Sequence, residues 1–407
     1  MRAPDLGTGP PDPAVADLIA REERRRRDTL QLVAGETVAT PGVRTALASV
    51  FGDVYAEGYP GRRYHGGCEN ADELEHLAVS RATELFGAEY VNVQPHSGSA
   101  AASAVYAAFT QPEDPVLALR LAHGGHQTHG SRANFSGRWF NPIQYTVRES
   151  DELIDYDQIR DLALLHRPRL LVAGSATYSR LIDYSILRQI ADEVDCVLWV
   201  DAAHLAGLVA GGAAPSPVPY ADVVTLVTHK VLRGPRGGIL LAAERHASAL
   251  TKAVFPFTQG GPALNVIAAK AVTCAEAATP EFAAHVSAVV ANARALAREL
   301  VARGLRVVGG GTDTHLAVID VSALGLSGVE AQRRLEAAGI VVDKAVLPYD
   351  PRPVAEGSAI RVGTPIATLA GADPATMGTI AGLMVDALSD GADPARIREE
   401  ITRLLAG

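Results

Sequence analysis

Residues 228–238 read Thr-His-Lys-Val-Leu-Arg-Gly-Pro-Arg-Gly-Gly, so that a lysine stands between β-branched or small residues and a glycine-rich turn. A lysine acts as a nucleophile only when burial or nearby cations lower its pKa. His229, Arg233 and Arg236 are all close to Lys230 in sequence. Most lysines in turns are simply solvated, but this setting favours Lys230 as a Schiff-base lysine.

An acid about 30 residues earlier makes the lysine more informative. Asp201 closes the apolar run 196–200 and is followed by Ala-Ala-His, ending at His204. A carboxylate at the carboxyl end of a buried strand lies where open α/β sheets bind ligands, and it can keep a pyridine nitrogen protonated. The pair of Lys230 and Asp201 therefore suggests pyridoxal phosphate (PLP). The alternative is that Asp201 only caps a helix.

Short apolar segments alternate with helical patterns between roughly residues 70 and 250, which predicts a doubly wound α/β domain. The predicted strands are 90–93, 116–119, 170–173, 197–200, 223–226 and 238–241. A long helical pattern over 264–301, broken near Thr279-Pro280, leads to further strands at 305–308 and 315–321. We expect an N-terminal helical and extended arm (1–60), a large PLP-binding α/β domain (61–275) and a smaller C-terminal α+β domain (276–407).

Composition excludes several classes of protein. The chain has 407 residues, 48% of them hydrophobic, and a formal net charge of -9, so no nucleic-acid partner is predicted. The single basic cluster, residues 24–27, follows two glutamates and is expected to be a solvated helix face. The three cysteines are far apart and have no metal-type spacing. No signal peptide or membrane span is predicted, no metal is expected, and a cytoplasmic location fits best.

Two further motifs supply what PLP needs besides an amine and an acid. Ser97, Gly98 and Ser99 follow a predicted strand and open a helix of small residues, which suits a phosphate group. Arg361 alternates with apolar residues in 359–364, and its planar fork suits a carboxylate. The alternative for Arg361 is a solvated arginine on an edge strand.

Five motifs together resemble serine hydroxymethyltransferase, a fold-type I PLP enzyme with the aspartate aminotransferase-like architecture. They occur in the order and spacing of that family, over a similarity that runs from about residue 28 to the end. The motifs are residues 55–64 (Tyr-Ala-Glu-Gly-Tyr-Pro-Gly-Arg-Arg-Tyr), 94–99, 121–126 (Leu-Ala-His-Gly-Gly-His), 228–238 and 255–262.

The resemblance implies a role for each of these residues. For the cofactor it implies Lys230 on the aldehyde, Asp201 on the ring nitrogen, His126 stacked on the ring, His204 on its hydroxyl side, His229 beside the lysine, and Ser97, Gly98 and Ser99 on the phosphate. For the substrate it implies Arg361 on the carboxylate, Glu57 as the acid-base group, and Tyr55 contributed by a partner subunit. That subunit would also extend its Gln259-Gly260-Gly261 turn towards the cofactor's phosphate. A homodimer with shared sites, or a tetramer of such dimers, follows from this.

Several positions depart from the family pattern. Gly35 stands where the family has a serine near the substrate, His65 replaces a tyrosine, Ala176 and Val227 replace hydroxyl residues, and Gln127 and Ala345 replace residues on the folate side. Loss of one well-placed polar contact is worth about 1–3 kcal/mol, so the set could change the reaction partner.

The sequence therefore predicts a PLP-dependent aldol or retro-aldol enzyme acting on the Cα–Cβ bond of a β-hydroxy-α-amino acid. The first hypothesis is hydroxymethyl transfer between serine, or an α-substituted serine, and glycine, with tetrahydrofolate as the one-carbon acceptor, although Gln127 and Ala345 weaken the case for a folate site. The second is a folate-independent threonine aldolase or transaldolase of specialised metabolism. The third is a PLP-binding homologue without turnover. His65, like Glu57 and Tyr55, is a candidate catalytic residue, and Gly35 lies near the expected substrate carboxylate.

Overall fold

The structure is a computed structural model that describes residues 12–406. Residues 1–11 of the predicted arm and Gly407 at the C-terminus lie outside the described residues. The strands are β1 (Leu30–Gln31), β2 (Gly58–Tyr59), β3 (Arg62–Arg63), β4 (Tyr90–Asn92), β5 (Pro115–Leu119), β6 (Asn141–Tyr145), β7 (Leu170–Gly174), β8 (Val197–Asp201), β9 (Val223–Val227), β10 (Gly238–Ala242), β11 (Arg306–Val307), β12 (Leu316–Asp320), β13 (Ile340–Val341), β14 (Asp343–Ala345) and β15 (Ala359–Gly363).

The helices account for most of the remaining chain. They are α1 (Pro13–Arg27), α2 (Pro41–Leu47), α3 (Glu69–Phe86), α4 (Gly98–Phe109), α5 (Ser136–Trp139), α6 (Tyr156–His166), α7 (Tyr184–Val194), α8 (Ala206–Ala210), α9 (Ala247–Lys252), α10 (Leu264–Ala277), α11 (Pro280–Ala302), α12 (Gly328–Ala337), α13 (Pro365–Leu369), α14 (Pro374–Leu388) and α15 (Pro394–Ala406).

A seven-stranded sheet in the order β4-β10-β9-β8-β7-β5-β6 forms the centre of the large domain. The strands from β5 to β9 run parallel, whereas β10 is antiparallel to both β9 and β4. The six predicted strands are all present in this sheet. The edge strand β6 was not predicted, because Pro142 and the polar residues around it hide the apolar pattern of an inner strand.

Local sequence signals explain where the long helices begin. Thr279 caps α11 by accepting a hydrogen bond from Phe282 N (3.3 Å), and Pro280 occupies the first turn, where a missing N–H costs nothing. The predicted break near Thr279-Pro280 is the junction between α10 and α11. Ser97 caps α4 in the same way, through Ala100 N (3.1 Å).

Two groups of buried residues correspond to the large and small parts of the molecule. The two faces of the central sheet carry one group, in which Trp199 and Tyr106 pack edge to face with ring centroids 5.5 Å apart. The other group joins α11 to α15 with the small sheet, and it includes Leu30 and Leu32 of the N-terminal arm. Val286 of α11 belongs to the first group and Leu296 to the second, so α11 serves both. The predicted boundaries at residues 60 and 275 stay predictions.

The small sheet has the order β11-β12-β15-β14, and all of its neighbours are antiparallel. Arg361 therefore lies on an inner strand, between β12 and β14, and not on an edge. A separate two-stranded sheet pairs β1 with β13 in parallel, so that Leu30 lies beside Ile340. Within residues 12–406, no helix has the length and apolar character needed to cross a membrane.

Candidate active site

The carboxyl ends of β7, β8 and β9 meet at one edge of the central sheet. Asp201, the last residue of β8, lies opposite Gly174 of β7 and Thr225 of β9. Lys230 follows the end of β9 by three residues, so the lysine and the acid predicted from the sequence lie at the same edge. Ligands in open α/β sheets bind at this position.

The turn that carries Lys230 is held by its own backbone. Arg233 N donates to Lys230 O (2.8 Å) and Gly234 N donates to Thr228 O (2.7 Å), with Arg233 at a φ of 62°. Burial lowers the pKa of Lys230 to about 8; Asp201 opposes this shift, and the positive charges of Arg361 and Arg236 reinforce it. A lysine with this pKa has a substantial neutral fraction near neutral pH and can act as a nucleophile.

Asp201 has a partner that sequence reasoning missed. His129 Nε2 lies 3.0 Å from Asp201 Oδ2, and Ala203 N donates to Asp201 Oδ1 (3.1 Å). Burial raises the pKa of Asp201, but the hydrogen bond from His129 and the electrostatic interaction with His129, with a smaller effect of the nearby His126, outweigh burial and hold this pKa at about 2. Asp201 does not cap α8, whose N-cap is Leu205. The acid therefore stays ionised inside the protein.

His126 lies next to this acid. One ring nitrogen of His126, one of His129 and a carboxylate oxygen of Asp201 all lie within 4.8 Å of one another, and His126 Nδ1 is 2.8 Å from Thr128 Oγ1. Burial lowers the pKa of His126, which favours the neutral imidazole. A neutral, flat ring beside Asp201 suits the stacking position that the resemblance implies.

His204 forms a second histidine pair, with a partner on the small domain that was not predicted. His204 Nδ1 lies 3.4 Å from His315 Nε2, and the two rings are stacked with an interplanar angle of 17°. Burial, followed by the positive charges of Lys230 and Arg361, lowers the pKa of both histidines, that of His315 to about 3. Both rings are therefore neutral and packed between the two domains.

The predicted phosphate loop is shaped by glycines. A Cβ on Gly98 would lie 2.5 Å from Val227 Cγ1, and a Cβ on Gly238 would overlap the carbonyl oxygen of Ser97. The side chains of Ser97 and Ser99 are exposed at the start of α4. Because the backbone packs this closely, the hydroxyl groups of Ser97 and Ser99 and the free amide groups at the start of the 12-residue helix α4 are open to an anion.

Lys270, which was not predicted from the sequence, holds this loop in place. Its Nζ donates to the backbone oxygens of Val93 (2.6 Å), Pro95 (3.0 Å) and Gly238 (2.8 Å). Burial lowers the pKa of Lys270, but three acceptors for three N–H groups match the ammonium form. Lysine on a helix is ordinarily solvated, so only the fold reveals this role.

His229, predicted to contact the cofactor, has a buried Nδ1 without a hydrogen-bond partner among the described residues. Burial lowers the pKa of His229 to about 4, with smaller effects from Arg236 and Lys230. A buried polar atom without a protein partner, next to Lys230, is expected in a site that binds a polar group.

Other predicted residues, Tyr55, Glu57, His65 and Gly261, form a second group in the structure. Here His65 Nε2 lies 3.4 Å from Glu57 Oε2, and the Tyr55 and His65 rings pack edge to face at 5.1 Å. A Cβ on Gly261 would lie 3.6 Å from both Glu57 and Tyr55. Tyr55 is 68% exposed, and no hydrogen bond or ion pair within residues 12–406 links this set to Lys230. We call the two groups the lysine pocket (Lys230, Asp201, His126, His204, Arg361) and the Glu57 cluster (Tyr55, Glu57, His65, Gly261).

Arg361 completes the lysine pocket from the small domain. Its Nη1 donates to the carbonyl oxygen of Ala176 (2.8 Å), and its Nε and Nη2 both donate to Asp343 Oδ2. Asp343 was not among the predicted site residues, because only the pairing of β14 with β15 brings it to Arg361. The arginine therefore ties the small domain to the loop after β7.

The departures from the family pattern have physical consequences in the structure. A Cβ on Gly35 would meet no atom within 4 Å, so the missing side chain leaves open space. Val227 packs against Gly98, and Ala345 is buried in an apolar cluster with Val308 and Val318. Gln127 is exposed. Gly35, Val227 and Ala345 thus present open space or apolar surface where the family has a polar side chain.

The residues present fit PLP. The lysine pocket offers an amine with lowered pKa, an ionised buried acid and neutral imidazoles, and the glycine-shaped loop leaves room for a phosphate. The orphaned His229 Nδ1 adds a polar group without a protein partner.

Comparisons with known proteins agree on one family. A family model described as serine hydroxymethyltransferase matches residues 10–384. The chain is 48% identical over 396 residues to serine hydroxymethyltransferase of Koribacter versatilis (strain Ellin345), covering 97% of this chain and 93% of that protein. It is 49% identical over 396 residues to the protein of the same name from Acidobacterium capsulatum, with coverage of 97% and 93%. It is 49% identical over 392 residues to serine hydroxymethyltransferase 1 of Pseudomonas fluorescens (strain Pf0-1), with coverage of 96% and 95%.

Proposed function

The chain belongs to the serine hydroxymethyltransferase family, and we propose that it uses PLP to break and form the Cα–Cβ bond of a β-hydroxy-α-amino acid, with serine and glycine as the amino acid pair. It is an enzyme of the hydroxymethyltransferase type with the fold-type I architecture. One observation carries the proposal: Lys230, with a pKa of about 8, and the ionised Asp201 lie together where β8 and β9 end.

PLP would be held by residues on three sides. Lys230 would bind its aldehyde, Asp201 its ring nitrogen, and Ser97, Gly98 and Ser99 its phosphate, with His126 over the ring and His204 and His229 beside it. When bound, PLP accepts the electron pair of a bond broken at Cα. His129 keeps Asp201 ionised and oriented, and Lys270 keeps the phosphate loop in place.

Arg361 would orient the amino acid by binding its carboxylate, so that the Cα–Cβ bond is the one held for cleavage. Glu57 would take the proton of the β-hydroxyl as the Cα–Cβ bond breaks. The bonding pair of electrons stays with Cα, and the former β-carbon leaves as an aldehyde. Cα then takes a proton to give glycine, and the reverse sequence makes serine.

His65 gives this chain a group that can share the proton with Glu57. The two side chains lie 3.4 Å apart, and each is about one-third exposed. An imidazole beside a carboxylate can pass a proton onward where a phenol cannot do so near neutral pH. We therefore include His65 with Glu57 and Tyr55 as catalytic candidates, and Gly35 with the substrate-binding residues.

A homodimer with shared sites would bring the Glu57 cluster to the lysine pocket of the other subunit. The exposure of Tyr55 (68%), Tyr64 (76%) and Phe257 (77%) supports this, since large side chains so open to water are common at interfaces. The chain also carries a groove of about 560 Å³ whose lining combines the apolar side chains of Val50, Phe51, Val54, Leu74 and Leu77 with Asn70 and Glu73. A tetramer built from two such dimers is compatible with the same surfaces.

The one-carbon acceptor is proposed to be tetrahydrofolate. A second candidate, folate-independent aldol chemistry of the threonine aldolase or transaldolase kind, is favoured by one observation on the expected folate side. Ala345 is buried in an apolar cluster with Val308 and Val318. Such an apolar position offers a pterin fewer hydrogen-bond partners than a polar side chain would.

The location and partners follow from simple properties. A net charge of -9 disfavours nucleic acid and anionic membrane surfaces as partners. All three cysteines are buried and unpaired, which fits a reducing compartment such as the cytoplasm.

Purified holoenzyme separates the candidates in one series of assays. We expect L-serine to give glycine, with formation of glycine stimulated by tetrahydrofolate. Serine cleavage unaffected by tetrahydrofolate, together with release of acetaldehyde from L-threonine, would support the second candidate instead. A holoenzyme that cleaves neither amino acid would contradict both.

A further inference from the structure

Asp343 occupies one side of the arginine that we assign to the substrate carboxylate. Strands β14 and β15 pair in antiparallel register, with Asp343 directly opposite Arg361. The two side chains lie on the same face of the small sheet, and Arg361 Nε donates to Asp343 Oδ2 at 3.2 Å, with Nη2 donating to the same oxygen. The contact is thus built into the strand pairing.

The hydrogen-bond donors of Arg361 show what is left for a ligand. A guanidinium has five N–H groups, one on Nε and two on each Nη. Asp343 takes one from Nε and one from Nη2, and the carbonyl oxygen of Ala176 takes one from Nη1. One N–H remains on Nη1 and one on Nη2, and this fork can still bind a carboxylate with two hydrogen bonds. Asp343 therefore need not leave when substrate binds.

Asp343 also changes the net charge that a ligand meets at Arg361. Asp343 neutralises Arg361, so a second carboxylate would join a pair that already has no net charge, and the two carboxylates would lie on one guanidinium. The side chain of Asp343 is 32% exposed, and no group within residues 12–406 donates to its Oδ1. That oxygen can accept a hydrogen bond from a neutral group bound beside it.

We propose that Asp343 is a specificity-determining residue that weakens binding of the amino acid carboxylate at Arg361 and lets the site accept a neutral, hydrogen-bond-donating group, such as a carboxamide, in its place. The inference rests on the proposed function, because it assumes that Arg361 faces the substrate carboxylate. It deepens that function by setting which amino acid derivatives the site prefers.

The test compares L-serine with L-serinamide, in which a carboxamide replaces the carboxylate. Dissociation constants for the holoenzyme are measured by calorimetric titration, so that the result does not depend on turnover. In Asp343→Asn, we expect L-serine to bind about tenfold more tightly, since a like charge close to the ligand carboxylate is removed. L-serinamide is expected to bind no more tightly than in the wild type.

Asp320→Asn is the matched control. Asp320 also pairs across strands with an arginine of the same small sheet, Arg306, whose Nε donates to its Oδ2 at 2.9 Å. The control removes the same charge away from the lysine pocket, and L-serine is expected to bind it as it binds the wild type. Should Asp343→Asn lose its thermal unfolding transition, Asp343→Ser removes the same charge, and the same tighter binding is expected.

Equal or weaker binding of L-serine by the folded Asp343 variants, relative to the wild type, overturns the inference alone. A wild-type holoenzyme that gives no heat with L-serine or any other β-hydroxy amino acid overturns the proposed function, and the inference with it. Tighter L-serine binding in Asp320→Asn of the same size would assign the effect to overall charge and also overturns the inference.

Discussion

The lysine pocket and the Glu57 cluster are built in opposite ways. The lysine pocket lies where buried strands end, and its side chains are held by neighbours such as His129, His315 and Asp343. Tyr55, Glu57 and His65 of the Glu57 cluster lie on short loops around β2 and β3, and Gly261 lies just before α10. Tyr55 is 68% exposed. One region is held by contacts within the chain, and the other has open side chains. The contrast fits the proposed dimer, in which the residues that bind PLP would come from one subunit and the Glu57 cluster from the other.

Complementation between two inactive variants gives the largest effect and tests the contrast directly. Lys230→Ala is expected to lower the turnover of serine more than about a thousandfold, and Glu57→Gln to lower it about a hundredfold or more. Mixed and refolded together at equal amounts, the variants should recover about a quarter of wild-type activity, because half of the dimers carry one intact shared site. Activity is measured as glycine formed from serine.

Lys252→Ala serves as the control for the lysine change, because Lys252 is exposed on α9. It should keep full activity and the visible absorption of lysine-bound PLP. No recovery of activity on mixing, in samples that contain mixed dimers, would mean that both regions act within one chain.

Removal of Lys270 tests how far the lysine pocket depends on its buried support. Lys270→Met leaves the carbonyl oxygens of Val93, Pro95 and Gly238 without their donor, and is expected to lower the free energy of unfolding by about 3 kcal/mol. The PLP dissociation constant should rise, since these residues flank the phosphate loop. Chemical denaturation and PLP titration measure the two effects, and Lys252→Met, on the exposed α9 face, should change neither. Unchanged stability would show that water replaces the ammonium group.

The pH dependence of PLP capture probes the pKa of Lys230. Its pKa is lowered to about 8, so the neutral amine becomes the main form as pH rises through 8. Capture of PLP by the apoenzyme should therefore accelerate about tenfold from pH 7 to pH 9 and then level off. Stopped-flow absorbance follows the reaction. Arg236→Gln removes a positive charge that lowers this pKa, so its profile should move to higher pH. A rate that keeps rising beyond pH 10 would indicate an ordinary, solvated lysine.

The smallest effect is expected for His129→Asn, which tests whether His129 has only a packing role. Loss of its hydrogen bond and charge leaves burial to raise the pKa of Asp201, so kcat should fall about tenfold and the acid limb of the pH profile should move upward. His246→Asn is the control, because His246 makes a similar contact to Asp222 (3.1 Å) away from the site. A fall in kcat without a shift of the acid limb would assign His129 a packing role.

The sequence predicted the parts of the fold that have a strong local signal. Apolar runs that end in Asp201 or precede Thr228 mark inner strands, and Thr279-Pro280 marks a helix start. The edge strand β6 has no such signal, because Pro142 and the exposed Asn141 interrupt its pattern. The antiparallel direction of β10 also depends on pairing with β4 and β9, which local sequence does not encode.

The same limit applies to the candidate site. Lys230, Asp201 and Glu57 stand in recognisable motifs, and their roles at the site stay predictions. His129 contacts an acid 72 positions along the chain, and Lys270 reaches carbonyl oxygens 32 to 177 positions away. Asp343 can be linked to the site only through the strand register that places it opposite Arg361. Side chains that act through another residue become visible only when the fold brings the two together.

The pairing of β1 with β13 has a consequence for how the chain is made. Leu30 and Leu32 are buried against residues near Ile340, which leave the ribosome about 310 residues later. At the usual rate of synthesis, roughly 15–60 s pass between the translation of these leucines and the translation of the residues near Ile340. During that time Leu30 and Leu32 remain unburied while the central sheet can already form. These two leucines are thus translated early and buried late, and a nascent chain stalled before residue 340 would present them to chaperones.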